Sequence, residues 1–221
     1  MKSLMTPEIF FEKLIKLYSD SRESIFPAEN IYRGRNVSIS GYLEDLFAKF
    51  IATNNPKKEF DYLIDQPMSF PSSNLDKQVT KYPDIVIQSQ QDGVITHLID
   101  MKTDLGWNRN GMLEFCNEWE GIIESSKNKE TNFKDGKTKV EKKGKFSKNL
   151  HLHIVVASRI NSGKTIWEHY KEIETSLKNV SIYILSDKVH PNNYEMSDKD
   201  ILNKIEIRHH EFKRFLDKIS E

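Results

Sequence analysis

The sequence predicts an α/β fold with a mixed sheet, on three observations. Residues 81–103 hold two short runs rich in Val, Ile and Leu, Ile85-Val86-Ile87 and Val94-Ile95-Thr96-His97-Leu98-Ile99, joined by the turn Gln91-Asp92-Gly93, the pattern of an antiparallel hairpin. Residues 150–185 read as strand, helix and strand, a length that suits a crossover between parallel strands. Two amphipathic helices come before both. The chain has 221 residues, enough for one large domain. No internal repeat or boundary divides it, so 1–221 is read as a single domain.

The helices come first in the chain. Thr6-Pro7-Glu8 is a helix start, with a capping hydroxyl, proline at the first helical position and an acid in the first turn. Ile9, Phe10, Leu14, Leu17 and Tyr18 follow at helical spacing, so a helix is expected over about 7–20. Residues 21–37 are irregular and carry a small basic loop, Arg33-Gly34-Arg35-Asn36. A second helix is expected over about 40–53, with Tyr42, Leu43, Leu46, Phe47, Phe50 and Ile51 as its apolar stripe. At about 100° per residue, Glu44 lies on the border of that stripe, while Asp45 points to solvent. An acid half-facing the interior is a candidate for coordination or a tuned pKa, or it merely complements the helix N-terminal dipole.

Residues 60–64 read as a strand and 67–77 as a loop. In the hairpin that follows, side chains alternate, so Asp100 and Lys102 share a face with Thr96 and Leu98 behind them, and Ile95, Ile99 and Met101 point the other way into a core. Residues 103–111 form a polar loop with one aromatic, Trp107. A helix is expected over 112–125. Residues 126–149 lose hydrophobic periodicity and carry nine lysines against three acids, an excess of six positive charges in a chain of formal net charge zero. This reads as a structureless insertion, either a solvated loop or a flexible clamp on a polyanion. A buried strand at 150–157, a helix at 164–177, a strand at 180–185 and a final helix from the Ser197 cap to about 219 complete the chain.

Composition narrows the function classes. The chain is 37% hydrophobic and 30% charged, ordinary for a globular protein with a charged surface. No apolar run reaches membrane-spanning length, and Met1-Lys2-Ser3-Leu4-Met5 lacks the apolar core of a signal peptide. Cys116 is the only cysteine, so an internal disulfide and a zinc cluster are excluded. A cytoplasmic protein without a membrane partner is expected. Ser162-Gly163-Lys164-Thr165 follows a strand and opens a helix, like the end of a phosphate-binding loop. That motif needs a glycine where this chain has Ser158, so no nucleotide cofactor is expected. His151, His153, His209 and His210 are read as core or surface residues, without the further ligands a zinc site needs.

Glu44 on a helix, Pro83-Asp84 at the start of one strand and Asp100-Met101-Lys102 at the end of the next, with fifteen residues between the aspartates, resemble the PD-(D/E)XK nuclease superfamily. Tyr82-Pro83-Asp84 followed by Ile99-Asp100-Met101-Lys102-Thr103 most resembles its type II restriction endonucleases. The resemblance covers about residues 38–105. It implies a restriction-endonuclease-like three-layer α/β/α core around a central mixed sheet of about five strands. It also implies Mg²⁺-dependent hydrolysis of double-stranded DNA at a specific, palindromic site by a homodimer, with Mn²⁺ as a possible substitute and 5′-phosphate and 3′-hydroxyl products. Asp84, Asp100 and the Met101 carbonyl would be the metal's oxygen ligands, which suits a hard cation. Lys102 would orient or deprotonate the attacking water, and Glu44 would bind a second metal, Lys102 or a water. Candidate DNA contacts are Arg33, Arg35, Asn108, Arg109, Asn110, Lys137, Lys139, Lys142, Lys143 and Lys145. Two other readings stay open: a repair, mobile-element or defence nuclease of the same fold, and a non-catalytic nucleic-acid-binding module.

Overall fold

The computed structural model describes residues 4–26, 28–55, 59–71, 78–135 and 138–221, and the backbone alone for Trp107 and Asn108. Helix α1 (Pro7–Ser21) starts as its sequence dictates, the Thr6 hydroxyl accepting from the Ile9 amide at 3.3 Å. Helix α2 (Ser40–Asn54) follows, and strand β1 (Phe60–Ile64) after it. Strands β2 (Met68–Pro71) and β3 (Gln78–Lys81) form a short antiparallel pair. Part of the segment expected as a loop is therefore sheet. Met68 and Phe70 are buried while Ser69 and Pro71 are not, an alternation too short to outweigh a proline in the sequence.

Strands β4 (Ile85–Ser89) and β5 (Val94–Lys102) make the expected antiparallel hairpin. A 3₁₀ turn (Gly106–Asn110) leads into α3 (Met112–Ser126). The lysine-rich segment then departs from expectation: it is an antiparallel hairpin of β6 (Glu130–Lys134) and β7 (Glu141–Val156). Thr131, Phe133, Gly144 and Phe146 are buried at alternate positions, and Asn132 and Lys145 between them face solvent. This period of two is invisible to a search for apolar runs because only one residue in two is constrained.

After β7 come α4 (Ile166–Ser176) and β8 (Val180–Ile184), which pairs in parallel with β7 as the crossover predicts. The expected final helix is two. Strand β9 (Ser186–Asp187) pairs with β10 (Glu206–Ile207), which separates α5 (Asp198–Lys204) from α6 (His209–Ile219). Ser197 caps α5, its hydroxyl accepting from the Asp200 amide.

Among the described residues the main sheet has eight strands, not about five, ordered β1-β4-β5-β7-β6-β2-β3 with β8 also on β7. β5, β7 and β8 are parallel and the remaining pairs antiparallel. Consecutive strand residues fall into two separate apolar clusters. Ile85, Ile87, Ile99, Met101, Val155 and Tyr183 join α1, α2 and α6. Val86, Leu98, Ile154, Val156, Ile182 and Ile184 join α3 and α4. The first cluster centres on Phe10, Phe47, Phe50, Phe212 and Phe215, all buried, with ring centroids 5.1–5.9 Å apart. Tyr42, expected on the α2 stripe, is exposed.

The β4–β5 register breaks close to its turn. Ile95 belongs to the α3 side with Leu98, not with Ile99 and Met101. Thr96 is the extra residue between the Ile87↔His97 and Gln88↔Ile95 pairs. One inserted residue flips every side chain on the far side of it.

Candidate active site

The site forms where β4 begins and β5 ends, because antiparallel pairing brings those ends together. Asp84 sits one residue before β4, and its Oδ2 accepts from the Met101 amide at 2.5 Å. Asp100 and Lys102, two apart on β5, share the α3 face, where Lys102 Nζ donates to Asp100 Oδ1 at 2.7 Å. The other carboxylate oxygen of Asp100 is buried and has no hydrogen-bond partner among the described residues. Such an atom is costly to leave unmatched, and it is the kind a cation satisfies.

The electrostatics agree with a crowded acidic pocket. Burial, and next the charge of Asp100, push the Asp84 carboxyl up to about 7. Burial also raises Glu44, helped by Asp65, Asp45 and Asp100 and opposed by Lys102. Glu44 therefore lies within electrostatic reach of Asp84, Asp100 and Lys102, half-buried as its place on the stripe requires. Among the described residues, no three His, Cys, Asp or Glu side chains stand close enough to hold a metal ion. The hydrogen bonds explain why: Asp84 is turned to the Met101 amide and Asp100 to Lys102.

Beside the pair is a cavity of about 340 Å³ lined by Lys102, Gly111, Met112, Glu114, Phe115 and Glu118. Gly111 opens α3 without a side-chain cap, so the first-turn amides are free to meet an anion. The cavity thus joins the Lys102 ammonium to a helix N-terminus, with the carboxylates of Glu114 and Glu118 also in its lining.

Other predicted contacts are scattered. Arg33 and Arg35 are exposed and line a cleft of about 330 Å³ with Ile31 and Tyr32. Arg109 and Asn110 are exposed just past β5, and a Cβ on Gly163 would meet the Arg109 side chain at 3.4 Å. Residues 162–164 and the 3₁₀ turn are therefore neighbours. The Asn108 side chain and Lys137 lie outside the described residues. Lys139, Lys142, Lys143 and Lys145 are exposed on the β6–β7 hairpin, and Lys142 pairs with Asp135 at 2.7 Å. Lys145 pairs in register with Val94. Along β5 it is some eight residues from Lys102, about 25 Å at strand rise, but the other end of the hairpin curls back towards Asp84: the Lys134 carbonyl accepts from Gln66 Nε2 at 2.5 Å, beside Asp65, whose amide donates to the Asp84 carbonyl.

Three residues at this end of the sheet carried no assignment from the sequence. Asp65 directly follows β1, and its amide donates to the Asp84 carbonyl at 2.9 Å. Asp104 Oδ2 accepts from His190 Nε2 at 3.0 Å, while His190 Nδ1 accepts from the Asn192 amide at 2.9 Å. The second bond fixes the tautomer that can donate to Asp104. Asp104 had a local signal, an acid two residues after Lys102. Asp65 and His190 had none, since both arrive by tertiary pairing. His151 and His153 are buried, and His209 and His210 exposed, as expected. Comparison with known proteins returned no match: no family model fits the chain and no curated protein matches it.

Proposed function

We propose that this chain is a Mg²⁺-dependent double-stranded DNA endonuclease of the PD-(D/E)XK type, a site-specific restriction enzyme acting as a homodimer. On this reading the helices against the two sheet faces make a three-layer α/β/α core. One observation carries the proposal: Asp84, Asp100 and Lys102 meet at the adjoining ends of two antiparallel strands, beside a cavity that a helix N-terminus opens into. A stable fold gains little from burying two carboxylates together.

The donor set fits a hard divalent cation. Asp84, Asp100 and the Met101 carbonyl would hold it, with Glu44 at a second position, and the unmatched Asp100 oxygen is the atom most in need of it. When bound, the metal supplies Lewis-acid charge and makes its water more acidic. The chain's own groups supply the rest. Lys102 Nζ, released from Asp100 Oδ1, donates to a phosphate oxygen as negative charge builds there. The α3 N-terminus orients the same group through its free amides. Glu44, with its raised pKa, accepts a hydrogen bond from the attacking water and holds its proton.

The test is incubation of supercoiled plasmid with the native chain, with Mg²⁺ and with EDTA. Discrete linear fragments only with Mg²⁺ support the reading. No cleavage across varied plasmid and phage DNA, with Mg²⁺ or Mn²⁺, would overturn it.

A further inference from the structure

At the other end of the sheet the β5–β7 ladder breaks. Between the Ile95↔Phe146 and His97↔His151 pairs, β5 uses one residue, Thr96, and β7 uses four, Ser147 to Leu150. The looped-out backbone leaves a cavity of about 490 Å³, lined by Thr96 and residues 147–150 together with groups from four other elements. A break inside the central strand pair costs ladder hydrogen bonds, and bulges of this kind mark built features more often than defects.

The lining is strongly one-signed. Lys127 follows α3, Lys148 lies on the looped-out segment, Lys178 precedes β8 and Lys218 lies in the last turn of α6. Glu221 is the only carboxylate among the described lining residues, and behind the lining Glu120 and Glu124 accept from the Asn179 side chain at 2.8 and 3.0 Å. Lys127 and Lys218 are each steadied by an acid of their own segment, Glu124 and Glu221, both at 2.6 Å. Lys148 and Lys178 are exposed and join no ion pair among the described residues. The floor is polar and buried: His97 at 8% exposure, His151 at 7% and Asn179 at 6%. Partners behind hold the imidazoles: His151 Nε2 meets Ser181 Oγ at 3.0 Å, and His97 Nδ1 meets His153 Nε2 at 3.0 Å. Burial, then Lys218, depress His151 to about 3, so it is a neutral hydrogen-bonding group near neutral pH. Mobile lysines alone would be solvated surface. Lysines over a concave floor of fixed, buried polar groups have the form of an anion site.

We infer that this cavity is a binding site for a phosphate-bearing anion, with Lys148 and Lys178 as its charged clamp and His97, His151 and Asn179 as its floor. The site is independent of the nuclease reading: Thr96 lies six residues from Lys102, roughly 20 Å along β5. Its size admits a pyrophosphate or a nucleoside phosphate. The same chemistry would also take a backbone phosphate of a nucleic acid, and the excess of lysines at 126–149 is thereby partly explained.

The experiment is calorimetric titration of the full chain with sodium pyrophosphate at low salt without Mg²⁺, repeated on Lys148→Glu/Lys178→Glu and Lys148→Arg/Lys178→Arg. The proposal expects saturable binding, weakened by at least about tenfold in the glutamate variant and retained in the arginine variant, since charge-assisted bonds carry it. Unchanged melting of both variants verifies their folding. No saturable binding by the native chain, or equal binding by the glutamate variant, would overturn it. Adding pyrophosphate to a complex with a duplex oligonucleotide separates the sources. Release of the duplex assigns the site to a backbone phosphate, and retention assigns it to a free anion. Asp100→Ala should bind pyrophosphate like the native chain, so failure of the nuclease reading leaves this result standing.

Discussion

Replacing Asp84 by Asn should stabilise the metal-free protein, and only at neutral or alkaline pH. The Asp84 carboxyl rises from 3.8 in the unfolded chain to about 7 in the folded one, through burial and the Asp100 charge. A raised acid binds its proton more tightly when folded, so stability falls as pH rises between those two values and stays low above them. At about 1.36 kcal/mol per unit, the full penalty is about 4 kcal/mol by pH 8, and roughly 1.5 kcal/mol of it is present by pH 5. Asn keeps the shape and an oxygen for the Met101 amide but carries no charge, and a neutral bond in place of a charged one gives back about 1 kcal/mol. The gain of the variant over the native chain should therefore widen by about 3 kcal/mol between pH 5 and pH 8. For a chain of this length that is a rise in the Tm difference of about 6–12 °C. Thermal melts of both proteins in EDTA at the two pH values measure it. A gain that does not change with pH, or a loss of stability at pH 8, would refute the claim that Asp84 is buried beside another carboxylate.

Three further outcomes follow from the same structure. Gly144→Ala would put a Cβ 2.9 Å from Ile95 Cδ1 and 3.3 Å from Phe133, so denaturant titration should show a loss of about 1–3 kcal/mol; an unchanged midpoint would mean that the lysine-rich segment is not an ordered strand. Phe10→Ala removes the ring at the centre of the aromatic cluster and should cost about 3–5 kcal/mol in the same assay. With Mg²⁺, the native chain should gain melting temperature as the cation fills the acidic site, and Asp84→Asn should lose that gain; equal shifts in both would place the cation elsewhere.

The meeting of Asp84, Asp100 and Lys102 was legible because its logic is local. Asp84, Asp100 and Lys102 lie on two strands joined by a tight turn, so alternation and pairing alone bring them together. Glu44 was legible from helical phase, since its half-burial follows from the stripe of Leu43, Phe47 and Ile51. The β6–β7 hairpin was not, because its exposed positions are mostly charged and its buried positions include a threonine and a glycine. The flip of Ile95 depends on Thr96 standing as an extra residue in the β4–β5 ladder, which no pattern of apolar residues records. The final helix divides at Ile205, where β10 gains a pairing with β9 that only the folded chain offers. Asp65 and His190 reach the site through tertiary contacts, so nothing near them in sequence announces them.

The central claim is that Asp100 and Lys102 carry a Mg²⁺-dependent cleavage of DNA. Its most direct test compares the native chain with Asp100→Ala and Lys102→Ala on plasmid or phage DNA in Mg²⁺, each protein first shown to be folded by its melting curve. The account predicts discrete cleavage by the native chain and a loss of at least about a hundredfold in each variant, the scale of removing a group that acts on transition-state charge. Equal cutting by all three proteins would contradict it.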